Sequence, residues 1–256
     1  MDKQLLLEYI RKGRTYRYIN NFYSLDTVDN ADQVWSNDDG FIFSYNDHGV
    51  KRLIYFIKEW KSLDNLLEAQ TIDHGKYYID FITNTSDRYE LHNFSVVACM
   101  LRMSNFDCRS VFRNDSEVLH YTDETVGIPA SKEDIREINK LLWSTFQTEI
   151  SHLLTNEELM KRISQLTIHK NDIGRIDALL QAEIMPKKFY INQIINRSEK
   201  KIIHAILLKK LKEYTDGGGK YLYAWVDEKN IASVKFHKKY GMEYDGTKNM
   251  IYCMEI

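Results

Sequence analysis

Apolar and polar residues alternate most clearly in the second half of the chain, across residues 176–184. The apolar positions of this alternation are Ile176, Ala178, Leu180, Ala182 and Ile184. A period of two is typical of a β-strand with one buried face, so the pattern predicts a strand here. Pro186 and the two lysines after it predict a turn, and residues 189–195 predict a second strand that returns beside the first.

Helical signals flank this pair of strands. Ser131 is a favourable N-cap before an apolar stripe, and Thr155 with Glu158 forms a capping-box pattern before another. Longer amphipathic stretches predict helices at residues 200–214 and 230–240, and glycine follows each of them. The remaining strands predicted in this half are residues 126–128, 221–226 and 249–256.

The first half of the chain has a run of elements of its own. A helix is predicted at residues 3–14, and strands at residues 41–45 and 50–57 flank a turn that contains Gly49. The elements that follow are predicted as a helix, a strand, a helix and a strand at residues 62–70, 77–82, 94–103 and 108–112.

Length and composition favour two compact lobes. The 256 residues are 43% hydrophobic and 28% charged, which is ordinary for a globular protein. Polar stretches at residues 114–117 and 122–125 are the best boundary candidates, so we expect lobes of residues 1–119 and 120–256. A net charge of −2 provides no basic field, which argues against a nucleic-acid partner.

The cysteines and the N-terminal residues bear on the location of the protein. Cys99, Cys108 and Cys253 are odd in number and form no CxxC pair, which is typical of reduced thiols. The first residues hold too short an apolar run for a signal peptide, and no window reaches the roughly 18 apolar residues of a membrane span. No metal-spaced Cys/His cluster occurs. We therefore expect a cytoplasmic protein that binds neither membrane nor metal.

Three local motifs of the second half of the chain are informative together. They are residues 128–135 around Pro129, residues 191–211, and the C-terminal motif Val226, Asn230, Ser233, Phe236, Lys239, Gly241 and Met242. Over about half the chain they resemble the GNAT superfamily of acyl-CoA-dependent N-acyltransferases. The first motif is similar to the family's opening strand and helix start, although its usual Arg before Pro129 is missing, and the second fits its fourth strand, phosphate loop and third helix without a gap. The C-terminal motif is the most specific match.

The resemblance implies an α/β fold with a mixed (α+β) sheet, the GNAT-like acyl-CoA N-acyltransferase fold, in residues 120–256. Residues 77–106 weakly resemble the second half of a GNAT domain. The first lobe is therefore expected to be a degenerate GNAT-like lobe of a tandem arrangement. Its work would be to shape the acceptor site or an interface.

The resemblance also implies acetyl-CoA as co-substrate. A strand, a loop and a helix start together present free N–H groups and the positive helix end to a pyrophosphate. The strand edge before the loop can pair with the amide-bearing pantetheine arm. The loop of residues 199–204 has no glycine where the family has two. The implied cofactor-binding residues are Gln193, Ile194, Ile195, Lys200, Lys201, Ile202, Ile203, His204 and Asn230.

For catalysis the resemblance implies a general acid at His237, where the family usually has a tyrosine. Glu183 is the first candidate for the general base, and Asp177 on the same strand face is the second. Tyr190 and Asn192 are expected to line the acceptor side. Simple structural alternatives exist for each role, such as a packed histidine or a solvated carboxylate.

The leading hypothesis is an N-acetyltransferase that transfers an acyl group from acetyl-CoA to an amine in a ternary complex. The alternative is a catalytically inactive GNAT-like binding or interaction module, which the glycine-free loop favours. An aminoacyl transferase of the tandem-GNAT kind would need a basic surface for tRNA, and the net charge does not indicate one. The acceptor is expected to be a small-molecule or peptide amine, and a homodimer is left open.

Overall fold

The computed structural model describes residues 3–68, 75–84, 93–112, 126–198 and 201–255. In chain order its helices are α1 (Lys3–Thr15), α2 (Asp26–Asp29), α3 (Trp60–Glu68), α4 (Ile135–Thr145), α5 (Asn156–Lys161), α6 (Ile202–Asp216) and α7 (Ile231–Lys238). Its strands are β1 (Ile19–Asn20), β2 (Ala31–Asn37), β3 (Gly40–Asp47), β4 (Val50–Ile57), β5 (Lys76–Thr83), β6 (Phe94–Asn105), β7 (Ile128–Pro129), β8 (Leu166–Lys170), β9 (Ile176–Met185), β10 (Lys188–Asn196), β11 (Tyr221–Asp227) and β12 (Glu243–Glu255). Across these ranges, none of the helices combines the length and the apolar character that crossing a bilayer needs.

The chain divides into two compact units. Unit 1 consists of Met1–Met100, Thr148–His152 and Thr247–Ile256, and unit 2 consists of Leu101–Gln147 and Leu153–Gly246. The expected division after residue 119 falls outside the described residues and stays a prediction. The C-terminal residues belong to unit 1 because β12 pairs with β5.

Unit 1 is built on an antiparallel meander of β2, β3 and β4. After the crossover helix α3, β5 lies parallel to β4, and β12 pairs antiparallel with β5. The β3–β4 turn is tight because the Asn46 side chain accepts the Gly49 N–H at 2.6 Å, and Gly49 adopts a φ of +95° that favours glycine. Helix α3 covers one sheet face through Leu63, and α1 covers the other through Leu6.

Unit 2 has an antiparallel series, β7 to β10, followed by β11 in parallel orientation beside β10. Helix α6 is the crossover between β10 and β11. It packs Ile206 and Leu207 against Phe189 on one sheet face. Helix α4 packs Ile138 against Leu179 on the opposite face. The sheet of unit 2 is thus covered on both sides, as a mixed α/β architecture requires.

The strongest sequence patterns are confirmed. The strand predicted at residues 176–184 forms β9, the returning strand at residues 189–195 forms β10, and the helices predicted at residues 200–214 and 230–240 correspond to α6 and α7. The single buried face expected for β9 is wrong: Leu179 and Gln181 on its other face are also buried, because α4 covers that side, and Ile184 is exposed. Residue 200 itself lies outside the described part of the chain. At the capping box of α5, the Thr155 N–H donates to the Glu158 carboxylate at 2.7 Å.

Two predictions between residues 94 and 112 are wrong. Residues 94–103, predicted as a helix, belong to strand β6, and residues 108–112, predicted as a strand, form a 3₁₀ helix. The apolar run in β6 fits either periodicity, and its β-branched Val96 and Val97 favour the strand. At the 3₁₀ helix, the Ser110 N–H donates to the Asp107 carbonyl at 2.9 Å, the three-residue spacing of such a turn.

Candidate functional site

The central feature of unit 2 is a split between β10 and β11. The two strands pair in parallel register from Lys188↔Tyr221 to Ile191↔Ala224. Both continue further, β10 to residue 196 and β11 to residue 227, but no pair joins them beyond this point among the described residues. We call this region the unit 2 split.

A bulge in β10 accounts for the split. The register of β10 against β9 shifts between Ile191 and Gln193 and then continues to Asn196↔Ala178. A bulge bends its strand and increases the local twist, so β10 stays paired with β9 while it turns away from β11. The β11-facing edge at Gln193, Ile194 and Ile195 can therefore pair with an extended ligand as an added strand would.

The start of helix α6 follows the split strand in sequence. Ile202 is the first helical residue, and Lys201 is its exposed N-cap, without a side-chain capping bond. Ile203 is 2% exposed and packs in the core, as does Ile195, so the side chains of these two predicted residues are structural. The predicted Lys200 lies outside the described residues.

His204 is in the first turn of α6 and is held by aromatic side chains. Its Nδ1 lies 2.8 Å from the Tyr240 hydroxyl, and its ring lies 4.8 Å from the Phe236 ring. Burial, with the nearby charges of Lys239 and Lys201, lowers the pKa of His204, while burial raises that of Tyr240. Because Tyr240 stays protonated, its O–H donates a hydrogen bond to Nδ1 of the neutral imidazole, which then carries its own proton on Nε2.

His237 is buried in α7, with 5% of its surface exposed. Its Nδ1–H donates to the Ser233 carbonyl at 2.8 Å, and its Nε2 has no hydrogen-bond partner among the described residues. Burial lowers the pKa of His237, so the resting imidazole is neutral and Nε2 bears a lone pair. The sequence predicts a proton donor at this position, whereas the resting imidazole of the folded protein is a proton acceptor at its buried Nε2. The catalytic role itself stays a prediction.

The predicted base and acceptor residues lie side by side on the sheet. Tyr190 is opposite Glu183 on β9 and opposite Tyr223 on β11. The rings of Tyr190 and Tyr223 stack at 4.7 Å with an angle of 12°. Burial is the main cause that raises the pKa of the Tyr190 and Tyr223 hydroxyls, and the nearby charge of Glu183 raises both further. A carboxylate thus lies within electrostatic range of two stacked aromatic rings, and the predicted Asn192 follows at the bulge.

The two remaining predicted residues have local structural partners. Asp177 accepts a bond from His169 Nδ1 at 2.6 Å and lies about 20 Å along the strand from Glu183. Asn230 caps α7, because its side-chain oxygen accepts the Ser233 N–H at 3.0 Å. The cap gives Asn230 a structural role, and its predicted contact with the cofactor stays a prediction. Because Asp177 is already bonded to His169, it is the weaker of the two base candidates.

Sequence patterns did not indicate several polar and aromatic residues on this side of unit 2. Tyr223 and Trp225 alternate with buried residues in an almost continuously apolar strand, so their face could not be recognised. Arg102 Nε donates to Asp245 at 2.7 Å and its guanidinium lies 6.0 Å from the Trp225 ring. The Ser104 hydroxyl also donates to Asp245. Tyr223 lies within electrostatic range of both Glu183 and Arg102 and so connects these residues to the predicted base.

Comparisons with known proteins identify the architecture. No protein-family model matches the sequence. No curated protein matches it either. Among solved structures, a GCN5-related N-acetyltransferase from Sphaerobacter thermophilus matches with a TM-score of 0.57 and 13% identity, over 85% of this chain and 76% of that one.

Two other solved structures agree with this match. A GNAT-family protein from Novosphingobium aromaticivorans has a TM-score of 0.54 and 11% identity, over 86% of this chain and 90% of that one. A tandem GNAT protein from the clavulanic acid biosynthesis pathway has a TM-score of 0.52 and 10% identity, over 85% of this chain and 79% of that one. The chain therefore has a GNAT fold, as its C-terminal motifs predict.

Proposed function

We propose that unit 2 is an acyl-CoA-dependent N-acyltransferase that transfers an acetyl group from acetyl-CoA to an amine in a ternary complex. The observation that carries this proposal is the unit 2 split, followed in sequence by the start of α6. The ammonium of the acceptor first loses one proton to a base. The neutral amine nitrogen then attacks the thioester carbonyl, the carbon–sulfur bond breaks, and the second proton lost by nitrogen converts the leaving CoA thiolate to the thiol.

Binding of acetyl-CoA would use main-chain groups first. The free edge of β10 at residues 193–195 pairs with the two amides of the pantetheine arm. The N–H groups and the positive end of α6 meet the pyrophosphate, and Lys201 and the Nε2–H of His204 supply further donors. Ile202 and His204 stand where the family has glycine, so we expect weaker binding than a glycine loop gives.

Proton transfer would divide between two side chains. Glu183 takes the proton of the acceptor ammonium, because a carboxylate beside the Tyr190 and Tyr223 rings suits a cationic amine. After attack, His237 Nε2 accepts the proton from the tetrahedral adduct and returns it to the departing thiolate. Its lowered pKa favours this relay, since the imidazolium is formed only transiently.

Saturating acetyl-CoA is expected to stabilise the protein. At a hundredfold excess over Kd, binding to the native state contributes about 2.7 kcal/mol, which corresponds to a rise in Tm of roughly 5–10 °C. Differential scanning fluorimetry measures the shift, and calorimetry with free acetate as the control tests its specificity. No shift and no heat would contradict the proposal.

A reversed charge at the start of α6 is expected to weaken this binding. Lys201→Glu removes one exposed cation near the pyrophosphate and adds an anion, so we expect a roughly tenfold higher Kd and a weaker dependence on salt. Lys12→Glu, the same change on exposed α1 of unit 1, is the matched control. Equal Kd values for the two variants would place the phosphates elsewhere.

A second candidate function is a GNAT-like binding or interaction module without catalysis. The glycine-free loop favours it, because side chains at residues 202 and 204 oppose a close approach of phosphate to the backbone. This candidate predicts no release of free thiol from acetyl-CoA with any amine. A thiol-release assay over a panel of primary amines therefore separates the two functions.

A further inference from the structure

Unit 1 repeats the arrangement that forms the split in unit 2. The hairpin of β3 and β4, the crossover α3 and the parallel strand β5 correspond to β9, β10, α6 and β11. In unit 1 the parallel register is also short and runs from Lys51↔Tyr77 to Leu53↔Ile79. Both strands then continue, β4 to residue 57 and β5 to residue 83. Unit 1 thus has a split of its own, which we call the unit 1 split.

The side chain of Asn21 bridges the unit 1 split. Its amide nitrogen donates to the Leu53 carbonyl on β4 and to the Asp80 carbonyl on β5, both at 3.0 Å. Its amide oxygen accepts the Tyr55 N–H at 2.9 Å. Asn21 is 6% exposed. It therefore satisfies three main-chain groups just where the pairing of β4 with β5 ends.

Strand β1 occupies the next part of the same edge. It pairs antiparallel with β4 at Ile19↔Ile57 and Asn20↔Phe56. The other edge of β4 at these positions is taken by β3, since Phe41 pairs with Phe56. β1 must therefore lie on the edge that faces β5 earlier in the strand. The corresponding edge in unit 2, on β10, is the one that we assign to the pantetheine arm of acetyl-CoA.

We infer that residues 19–21 of the chain itself fill the unit 1 split in the manner of a bound cofactor, so that each chain takes up one acyl-CoA, in unit 2. The expectation of one bound acyl-CoA per chain rests on the proposed function. The filling of the unit 1 split by residues 19–21 does not. In unit 2, no described segment pairs with β10 beyond Ile191 on the side of β11.

The region of unit 1 that corresponds to the acceptor side is filled as well. Arg52 pairs with Tyr45 on β3 and lies one pair before the end of the parallel register of β4 with β5. Tyr190 has the corresponding position in unit 2, where it pairs with Glu183 on β9. Arg52 is 1% exposed. Its guanidinium donates to the carbonyl oxygens of Thr148 at 2.8 Å and Glu149 at 3.3 Å. A segment of the chain thus lies where an acceptor would bind.

Hydrogen exchange on the wild-type protein tests the inference without any substitution. The Tyr55 amide should be protected in the absence of ligand, because it donates to Asn21. Added acetyl-CoA should slow exchange at residues 192–195 of β10 and leave residues 54–57 of β4 unchanged, and calorimetry should give one equivalent per chain. An unprotected Tyr55 amide, ligand-dependent protection of β4, or two equivalents would overturn the inference.

A pair of neighbouring asparagines provides the matched variants. Asn21→Ala removes the partner of three buried main-chain groups and should lower Tm by roughly 5–10 °C. Asn20→Ala is the control, since Asn20 is exposed and its side chain bonds main-chain groups two residues away: it donates to the Tyr18 carbonyl and accepts the Phe22 N–H. Equal Tm values would overturn the role of Asn21. Should acetyl-CoA fail to bind at all, the proposed function fails, while the Tyr55 amide and this pair of variants still decide how the unit 1 split is filled.

Discussion

Replacing Arg52 with methionine is expected to lower the free energy of unfolding by about 3–5 kcal/mol, because the change takes a buried guanidinium away from two partly buried carboxylates and two main-chain carbonyl oxygens. The Arg52 Nε donates to Asp47 at 2.7 Å, and its Nη1 lies 3.7 Å from the Asp80 carboxylate. Although burial opposes it, hydrogen bonds and charges from His152 and Arg52 lower the pKa of Asp47. Asp47 is therefore ionised at neutral pH, and urea denaturation monitored by tryptophan fluorescence measures the loss.

An exposed ion pair is the control for this substitution. Lys3 pairs with Asp29, and both side chains are largely exposed, so Lys3→Ala should cost no more than about 1 kcal/mol. Adding Asp47→Asn to Arg52→Met should recover part of the stability, because it removes one of the stranded charges. An Arg52→Met protein as stable as Lys3→Ala would show that the cluster is solvated and that Arg52 does not fix the segment Thr148–His152.

Much of unit 2 could be predicted because its signals are local. The alternation in β9, the turn at Pro186 and the capping box at Thr155 each depend on residues close in sequence. The C-terminal motif is local too, which is why the resemblance to the GNAT fold could be recognised. The sequence wrongly predicts a helix for part of strand β6 because an apolar run of its length fits both periods. It does not predict strands β2 and β8, since β2 has no clear alternation and β8 has only two apolar positions.

The candidate site depends on features with little sequence signal. The bulge at Ile191 and Gln193 decides where β10 leaves β11, and neither residue type marks a bulge. The Asn21 contacts join residues that are 32 and 59 positions apart, so no local pattern predicts them. His237 could be placed by its motif, but its tautomer depends on the Ser233 carbonyl one turn earlier. The sequence therefore predicts where His237 lies in the chain, whereas the direction of its proton transfer can be inferred only from its contacts in the folded protein.

Exchanging His237 for phenylalanine is expected to lower kcat by roughly 10²-fold, the usual contribution of a positioned proton-transfer group. The affinity for acetyl-CoA should change little, because the imidazole contributes in the transition state rather than in ground-state binding. The phenyl ring retains most of the buried volume. Release of CoA thiol, measured per folded molecule, tests the expectation, with calorimetry for the affinity. His237→Tyr, which restores the family's usual residue, separates the roles: a phenol donates a proton but accepts one poorly, so a resting acid predicts retained activity and a relay through Nε2 predicts a loss like that of His237→Phe.

The pH profile separates the two roles that His237 can have. Burial lowers its pKa below the ordinary value of about 6.5, so Nε2 accepts protons over the whole neutral range. A relay through Nε2 therefore predicts that kcat/KM is flat near pH 7 and falls as the pH drops through the lowered pKa. A resting acid predicts the opposite, a rate that rises as the pH falls.

Folding must be monitored in parallel, because the unfolded chain takes up this proton at a higher pH than the folded protein. The free energy of unfolding therefore decreases as the pH falls below about 6.5. A His237→Phe variant that is well folded, turns over normally and keeps the wild-type profile would remove His237 from the mechanism and leave proton transfer to Glu183 and water.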